Sequence, residues 1–351
     1  MADPADADTP SARARVDALV AEKGVVAAGQ QLGVAAILYT YQCTIACRHC
    51  CFACGAHVPR VHMSTPKAVE HLRALHGLGR VIHIAGGECM MHWNDLQSVL
   101  ARSQAEGVQP HFIETNCSFA TDDAVVAERL AALAAAGVVG ILASADPFHQ
   151  ASVPPDRFLR VRRQARDLFG PHNVWCSGAT DDEIRALADI AADEARLRDY
   201  VRRHPPNMVG TAHRELRPFL DAYPLDQMPL DGGWRSRYQA RDCALEFDID
   251  RIWEVHIDPY NNIQTNCGVV LGNTDRIGLR DVMERGPANA NLITRLLAEG
   301  GPFALADFAR DRHGFAIPAA AVSKCDLCFT TRRFLRPFYP DILAPDEVYG
   351  A

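Results

Sequence analysis

The chain is organised around the stretch Val34-Ala-Ala-Ile-Leu-Tyr-Thr-Tyr41-Gln-Cys43-Thr-Ile-Ala-Cys47-Arg-His-Cys50. Its first eight residues are largely apolar, which predicts a buried strand. A C-x3-C-x2-C loop follows at once, and a short loop lets three sulfurs point toward one soft metal centre. Thiolates favour iron–sulfur clusters, zinc or Cu(I) over hard ions. The stretch therefore predicts a strand that presents three thiolate ligands, Cys43, Cys47 and Cys50, at its carboxyl end.

The identity of the bound metal has two alternatives at this point. Zinc normally takes a fourth ligand from a matched pair such as C-x2-C. Three thiolates directly after an apolar strand instead suggest a [4Fe–4S] cluster with one iron open to an outside ligand. Cys51 and Cys54 follow closely and offer other ligand choices, so a role in cluster assembly stays open for them.

Length, charge and cysteine content narrow the class of protein. A chain of 351 residues suggests about two domains, or one large α/β barrel with an appendage. The net charge of −7 argues against a nucleic-acid partner. Twelve cysteines are compatible with disulfides, but the first residues lack the basic and apolar regions of a signal peptide. The longest apolar run, about residues 33–39, is too short to span a membrane. We therefore expect a cytoplasmic protein with metal-bound thiols and no membrane partner.

Strands and helices alternate through the first part of the chain. Five strands are predicted, and a weaker sixth is predicted near Met208–Thr211. Repeats of roughly 30 residues imply parallel pairing with right-handed crossovers. The expected fold is α/β, a partial (β/α)6 TIM-like barrel rather than a complete eight-fold one. The five strands are expected at about residues 34–41, 80–85, 108–115, 138–144 and 173–177.

The alternation ends near residue 211, where prolines and glycines cluster and indicate a linker. Asp258-Pro-Tyr-Asn-Asn262 then joins two alternating segments and predicts a β-hairpin, and a basic helix is expected to end near Phe334. The division into domains has five parts. They are an N-terminal extension at 1–33 (disordered to about residue 14), the barrel at 34–211, a linker at 212–242, a small C-terminal α+β domain at 243–336 and a tail at 337–351.

Distinctive residues follow each predicted strand at its carboxyl end, which is where TIM-type barrels collect their chemistry. Any one of them alone is also explained as an ordinary turn signal. Five such coincidences at the same pole favour a shared site. After the cysteine loop of the first strand, these residues are Gly86-Gly87-Glu88, Thr115-Asn116, Ser144-Ala-Asp146 and Ser177.

The cysteine loop and the strand ends together resemble the radical S-adenosylmethionine (radical SAM) enzymes over about residues 34–204. His49 stands before the last cysteine, where the family has an aromatic-type residue. Gly86, Gly87 and Glu88 are similar to the family's GGE motif, which implies that they hold the amino group of SAM. The resemblance also implies a SAM-binding role for His49, Asn116, Ser144, Asp146 and Ser177. It implies reductive cleavage of SAM to methionine and a 5′-deoxyadenosyl radical, which abstracts a substrate hydrogen.

Four cysteines in the C-terminal part, Cys243, Cys267, Cys325 and Cys328, provide a second set of thiolates. By themselves they serve equally well as a structural zinc site. Behind a radical SAM barrel, the order C…C…C-x2-C resembles the twitch domain, a shortened relative of the SPASM domain, as in 2-deoxy-scyllo-inosamine dehydrogenases. The resemblance implies one auxiliary iron–sulfur cluster, of the [4Fe–4S] type, that is fully ligated and passes electrons.

Three further cysteines and one histidine are candidates for catalysis. Cys89 departs from the proline often found after GGE, and Cys117 replaces the glycine common after Thr-Asn. With Cys176, they are expected near the barrel mouth, where a thiol returns a hydrogen atom to a substrate radical. The alternative is that they are buried small hydrophobes. His149 is a candidate proton acceptor, or else a structural histidine bonded to a carbonyl.

These features favour an oxidoreductase that performs a two-electron oxidation of a small molecule in a biosynthetic pathway, supplied by an electron donor such as flavodoxin or ferredoxin. One alternative is a radical SAM enzyme that epimerises or crosslinks a peptide substrate. Another is a non-catalytic iron–sulfur or zinc-binding protein. The basic segments Arg157–Arg166 and Arg332–Arg336 are expected to be solvated helix faces, with a role in guiding a partner as the alternative.

Overall fold

A computed structural model describes residues 11–228, 242–248, 250 and 252–350. The predicted disorder at the N-terminus falls mostly outside these residues, but residues 12–14 already belong to helix α1 (Ala12–Leu32), so that prediction extends too far. Most of the predicted linker is described, and its residues 229–241 lie outside the described part.

Five parallel strands form the first part of a single large sheet. They are β1 (Val34–Leu38), β2 (Val81–Ala85), β3 (Phe112–Thr115), β4 (Gly140–Ala143) and β5 (Val174–Cys176). Neighbours in sequence pair in order from β1 to β5. Every residue of β1 and β2 is buried, as expected for parallel strands covered on both faces. The arrangement confirms the predicted α/β class with a partial, open barrel.

Helices connect these strands, and their ends follow local capping chemistry. Asp122 caps α4 (Asp123–Ala135), and Thr180 forms a capping box with Glu183 at the start of α7 (Asp181–Ala191). Pro155 lies in the first turn of α6 (Pro155–Phe169), where its missing N–H costs nothing. The connecting helices are α2 (Thr65–His76), α3 (Trp93–Ala105), α4 (Asp123–Ala135), α5 (Pro147–Gln150), α6 (Pro155–Phe169), α7 (Asp181–Ala191) and α8 (Glu194–Arg203).

The C-terminal hairpin extends the same sheet. β7 (Glu254–Ile257) pairs in parallel with β1, on the side opposite β2. β8 (Asn262–Thr265) and β9 (Val270–Asn273) follow antiparallel, so the strand order is β5-β4-β3-β2-β1-β7-β8-β9. The predicted hairpin is therefore confirmed, and its first strand reaches the barrel.

The remaining elements surround this sheet. β6 (Tyr223–Pro224) and β10 (Ala320–Ala321) form a separate two-stranded pair. The helices are α9 (Gly210–Glu215), α10 (Leu279–Arg285), α11 (Leu292–His313), α12 (Lys324–Leu335) and α13 (Asp346–Tyr349). Among the described residues, no helix combines the length and the apolar character needed to cross a membrane.

Three predictions about local structure are wrong. The sixth strand near Met208–Thr211 is absent, because Gly210 has φ +58° and begins α9 while Thr211 N donates to Cys50 O. The capping box Thr180-Asp-Asp-Glu183 predicts one long helix to about Arg203, but the structure has two helices, α7 and α8, because Asp193 caps a new one. The basic residues of α6 and α12 are not all solvated, since Arg162 and Arg332 are buried.

Candidate functional site

The cysteine loop is held against the end of β2 by backbone contacts. Gly87 N donates to Thr40 O (2.7 Å) and Glu88 N donates to Gln42 O (2.9 Å). A Cβ on Gly87 would lie 1.9 Å from Gln42 O, so only glycine permits this approach. The tight contact that requires Gly87 is therefore with the cysteine loop itself, and it sets where the thiols stand relative to the strand ends.

A cavity of about 220 Å³ opens at the carboxyl ends of the parallel strands. It is lined by the three cysteines of the predicted cluster and by many of the predicted SAM-binding residues. The set includes two further cysteines and three side chains that the sequence did not single out. In order, the lining includes Cys43, Cys47, His49, Cys50, Cys51, Cys54, Gly86, Gly87, Glu114, Asn116, Ser144, His149, Glu254 and His256.

The surroundings shift the pKa values of two thiols of the loop in opposite directions. Burial raises the pKa of Cys43 to about 12, although Asn116 Nδ2 donates to its sulfur at 3.3 Å. The pKa of Cys50 is lowered to about 6, chiefly by a hydrogen bond from the Cys54 side chain and further by the Cys54 N–H, which lies 3.3 Å from Cys50 Sγ. Donors aimed at sulfur favour the thiolate, the form that binds metal.

His149 lies between the cysteine loop and Asp146. Its Nδ1 is 2.7 Å from Asp146 Oδ2, and its ligand atom lies within 4.8 Å of those of Cys47 and His49. Burial lowers the pKa of His149, but the charges of Asp146 and Cys47 outweigh it, so the pKa is well above the usual value. His149 is thus suited to donate a proton toward Cys47. Asp146 also caps α5, by accepting from Phe148 N and His149 N.

Glu88 joins the ends of β2 and β3. Its carboxylate accepts from Met90 N (3.0 Å), Asn116 N (2.7 Å) and Thr115 Oγ1 (3.0 Å to each oxygen). Burial raises its pKa to about 7. Within the described structure, Glu88 is not among the cavity-lining residues. Contact with the SAM amino group stays a prediction for Glu88, while its visible contacts connect two strand ends.

The candidate hydrogen-atom donors lie away from the cavity lining of the described residues. Cys89 and Cys117 are completely buried, and Cys89 Sγ is 3.4 Å from Glu114 O. Cys176 is half-buried at the end of β5, next to Ser177. Cys51 and Cys54 do line the cavity. Their sequence signal was their position directly after the third cysteine of the motif.

The structure brings the four C-terminal cysteines together from three elements. Cys243 lies in the short 3-10 helix 242–247, Cys267 follows β8, and Cys325 and Cys328 occupy the start of α12. Burial raises the pKa of Cys243 to about 12 and that of Cys267 to about 11, and the nearby Cys328 adds to both shifts.

Two cations accompany these thiols. Arg332 is 0% exposed, and its guanidinium donates twice to Cys267 O at 3.1 Å. Burial raises the pKa of Cys267 and of Cys328, and the charge of Arg332 opposes part of that rise. Lys324 is 4% exposed, and its charge opposes part of the burial-driven rise in the pKa of Cys243. Sequence reasoning missed both cations, because a basic residue in a helix most often faces solvent.

Comparison with known proteins gives one match to a family. Residues 37–174 match the model of the radical SAM superfamily, and this range contains the cysteine loop and the ends of the first four strands. No curated protein matches the chain. One solved structure, native anSMEcpe with bound AdoMet, covers 88% of this chain and 96% of that chain at 10% sequence identity, with a TM-score of 0.41. A likeness at that level carries no information about activity. The family match spans the motif and the strand ends that form the cavity, so residues 37–174 form a radical SAM domain.

Proposed function

We propose that this radical SAM protein oxidises a small polar molecule by two electrons, with one [4Fe–4S] cluster at Cys43, Cys47 and Cys50 and an auxiliary cluster at the four C-terminal cysteines. The observation that carries the proposal is the convergence of two separate thiol groups, one of three and one of four. When bound, the first cluster and SAM supply a 5′-deoxyadenosyl radical that removes a substrate hydrogen atom.

The chain's own groups prepare the first site. Asn116 Nδ2 and Cys54 N donate to the sulfurs of Cys43 and Cys50, and His149 lies near Cys47. These contacts orient the thiols and favour their ionised form. Gly86 and Gly87, at the end of β2, allow the strand to lie close to the cysteine loop. The thiols therefore lie at the edge of the cavity.

The second thiol set supports an oxidation. Four protein ligands would leave no iron open, so a cluster held by Cys243, Cys267, Cys325 and Cys328 would supply electron transfer without binding substrate. The buried Arg332 and Lys324 offset the negative charge of four thiolates, which favours the reduced state of such a centre. An electron acceptor near the cavity suits the removal of a second electron from a substrate radical.

The polar side of the cavity suits a substrate with polar groups. Glu114, Glu254, His256 and Asn266 line it. Charged and polar side chains in a concave site bind hydroxyl, amino or carboxylate groups. Substrate screening would distinguish this proposal from the alternative, an enzyme that epimerises or crosslinks a peptide. The proposal includes an electron donor such as flavodoxin or ferredoxin.

The test uses the full chain, reconstituted without oxygen. Iron and sulfide are counted, and 5′-deoxyadenosine is assayed after reduction with dithionite and addition of SAM. We expect about eight irons, since each cluster has four. A Cys43/Cys47/Cys50→Ala variant should retain about four irons and form no 5′-deoxyadenosine. A Cys325/Cys328→Ala variant should also retain about four, yet still cleave SAM.

A matched control is Cys176→Ala, because Cys176 belongs to neither thiol set and should leave the iron count at about eight. Zinc in place of iron, or no SAM cleavage by a fully loaded protein, would overturn the proposal. An iron count that the Cys325/Cys328→Ala change does not lower would remove the auxiliary cluster and, with it, the argument for oxidation.

A further inference from the structure

Glu254 and His256 line the same cavity, apart from the cysteines, and His83 lies beside them. His83 of β2 and His256 of β7 both stand level with Ala36 of β1, so the three share one face of the sheet. Glu254 lies two residues before His256 and therefore on the same face. Glu254 Oε1 is 2.8 Å from His256 Nε2 and 3.2 Å from His83 Nε2. The three ligand atoms all lie within 4.8 Å of one another.

We propose that His83, Glu254 and His256 bind one divalent transition-metal ion with a coordination position open to the cavity. Two imidazoles and one carboxylate form the donor set of mononuclear Fe(II) and catalytic zinc sites, which keep positions open for a substrate or water. With bonds of about 2.0–2.1 Å, ligand atoms in a tetrahedral site are about 3.3 Å apart. The separations of 2.8 and 3.2 Å need little adjustment to reach that value.

The two histidines are buried, each 2% exposed, and their hydrogen bonding is incomplete. The Nδ1 atoms of both rings have no hydrogen-bond partner in the described structure, although buried polar atoms are nearly always paired. Both Nε2 atoms lie close to Glu254 Oε1, but the 3.2 Å contact of His83 Nε2 does not have the geometry of a hydrogen bond. Packing holds the rings instead. The ring of Phe112 stacks on that of His83 with 4.5 Å between ring centroids, and the ring of Phe52 lies edge-on to that of His256 with 5.3 Å between centroids. The rings are therefore held in place, with both Nε2 atoms close to Glu254 Oε1.

The surrounding charge also calls for a cation. Within the part of the chain that the structure describes, Glu246 Oε2 is buried without a hydrogen-bond partner, and Glu246 is close enough to Glu254 for their charges to interact. Glu114 Oε2 lies 3.9 Å from His83 Nε2. The described residues that line the cavity include no Lys or Arg. Buried carboxylates are costly unless they are paired or bind a metal, so a divalent ion would offset the charge of this group.

The position of the group suggests what the ion does. Glu254 and His256 line the same cavity as Cys43, Cys47 and Cys50. An ion there would bind a hydroxyl or carboxylate oxygen of the substrate and hold one of its C–H bonds toward the cysteine loop. This substrate-anchoring role rests on the proposed function, whereas metal binding itself does not.

The test measures metal binding directly on the iron–sulfur-loaded chain. After mild chelation, Mn²⁺ is titrated into the protein, and the concentration of free Mn²⁺ is measured by EPR. Zn²⁺ is then added, and the number of bound zinc ions per chain is measured by mass spectrometry. We expect about one ion per chain beyond the cluster iron. His256→Gln and Glu254→Gln should each weaken Mn²⁺ binding at least about tenfold. Glu254→Asp keeps a carboxylate and should bind with an intermediate affinity.

The matched control is His62→Gln, in the group His62, His92 and Asp95, whose ligand atoms also lie within 4.8 Å of one another but in which Asp95 is exposed. This change should leave the bound ion in place. Loss of the ion in His62→Gln but not in His256→Gln would assign it to that outer group and overturn the inference. A protein with normal iron content and SAM cleavage that binds no extra ion would also overturn it, while leaving the proposed function intact. The iron count of each variant reports whether it has folded.

Discussion

The replacement Glu88→Gln tests whether this side chain joins two strand ends. Both carboxylate oxygens accept a backbone N–H, from Met90 and from Asn116, and both accept from Thr115 Oγ1. A protonated carboxyl group can accept both N–H groups and donate to the Thr115 hydroxyl. An amide cannot do so, because its NH2 group must face one of the two N–H donors. One buried donor left without an acceptor costs about 1–3 kcal/mol.

The cost should depend on pH in a defined direction. Burial raises the pKa of Glu88 from 4.5 to about 7. The folded state therefore holds a proton that the unfolded state has lost between these values, and its stability falls as the pH rises from about 4.5 to about 7. The shift is worth about 3 kcal/mol. Glu88→Gln lacks this titration. The variant should be less stable than the parent at about pH 5.5, and the difference should shrink toward about pH 8.

The assay is urea unfolding of the iron–sulfur-loaded protein, followed by tryptophan fluorescence at several pH values, alongside 5′-deoxyadenosine formation. Thr115→Val is the companion variant, because it removes the hydroxyl that bridges both oxygens. The two changes should be non-additive when combined. Parallel stability curves for parent and Glu88→Gln would refute the reasoning. Unchanged stability with lost SAM cleavage would instead favour direct contact between Glu88 and SAM.

Three further changes test other parts of the structure. Gly87→Ala places a Cβ 1.9 Å from Gln42 O and should lower both the stability and the iron content. Gly77→Ala is the control and should be tolerated, because the atom nearest to its Cβ is 3.2 Å away. Equal effects of the two changes in unfolding and iron assays would contradict this account. Arg332→Met removes a buried charge near the C-terminal thiols and should reduce the iron count by about four. Arg333→Met, which changes an exposed residue of the same helix, should leave the count unchanged. An unchanged iron count in Arg332→Met would show that the buried charge is not needed. The side-chain amides of Asn262 and Gln264 donate to Asp258 Oδ2 at 3.0 and 2.8 Å. Asp258→Asn would place an NH2 group against these donors and should lower the free energy of unfolding in urea by about 2–3 kcal/mol. Tyr41→Phe is the matched comparison and should cost less, because it removes one hydrogen bond to the same oxygen.

Much of the barrel and of the first site could be predicted because the signals are local. Apolar runs predicted the strands, and the residues after them predicted which ends carry chemistry, since parallel strands place their carboxyl ends at one edge. The spacing of Cys43, Cys47 and Cys50 lies within a few residues, so a loop alone brings them together. The family match over residues 37–174 agrees with these motifs.

Other features could not be predicted because they depend on residues far apart in the chain. The local sequence predicts a weak strand at Gly210, yet Gly210 has a positive φ and begins a helix, and an added Cβ would meet the carbonyl groups of Cys50 and Cys51. Arg332 reads as a surface residue, yet it is buried against Cys267. In each case a tertiary contact outweighs the local preference.

The sequence by itself determined the α/β class, the cysteine loop, the strand-end residues and the hairpin, because each depends on periodicity or on spacing over a few positions. Only the tertiary structure decided that β7 pairs with β1, and that pairing brings Glu254 and His256 opposite His83 across about 170 residues of chain. The physical reason is that strand pairing between distant segments is selected by the burial of whole faces and by backbone hydrogen bonds, and neither leaves a mark on the spacing of individual residues.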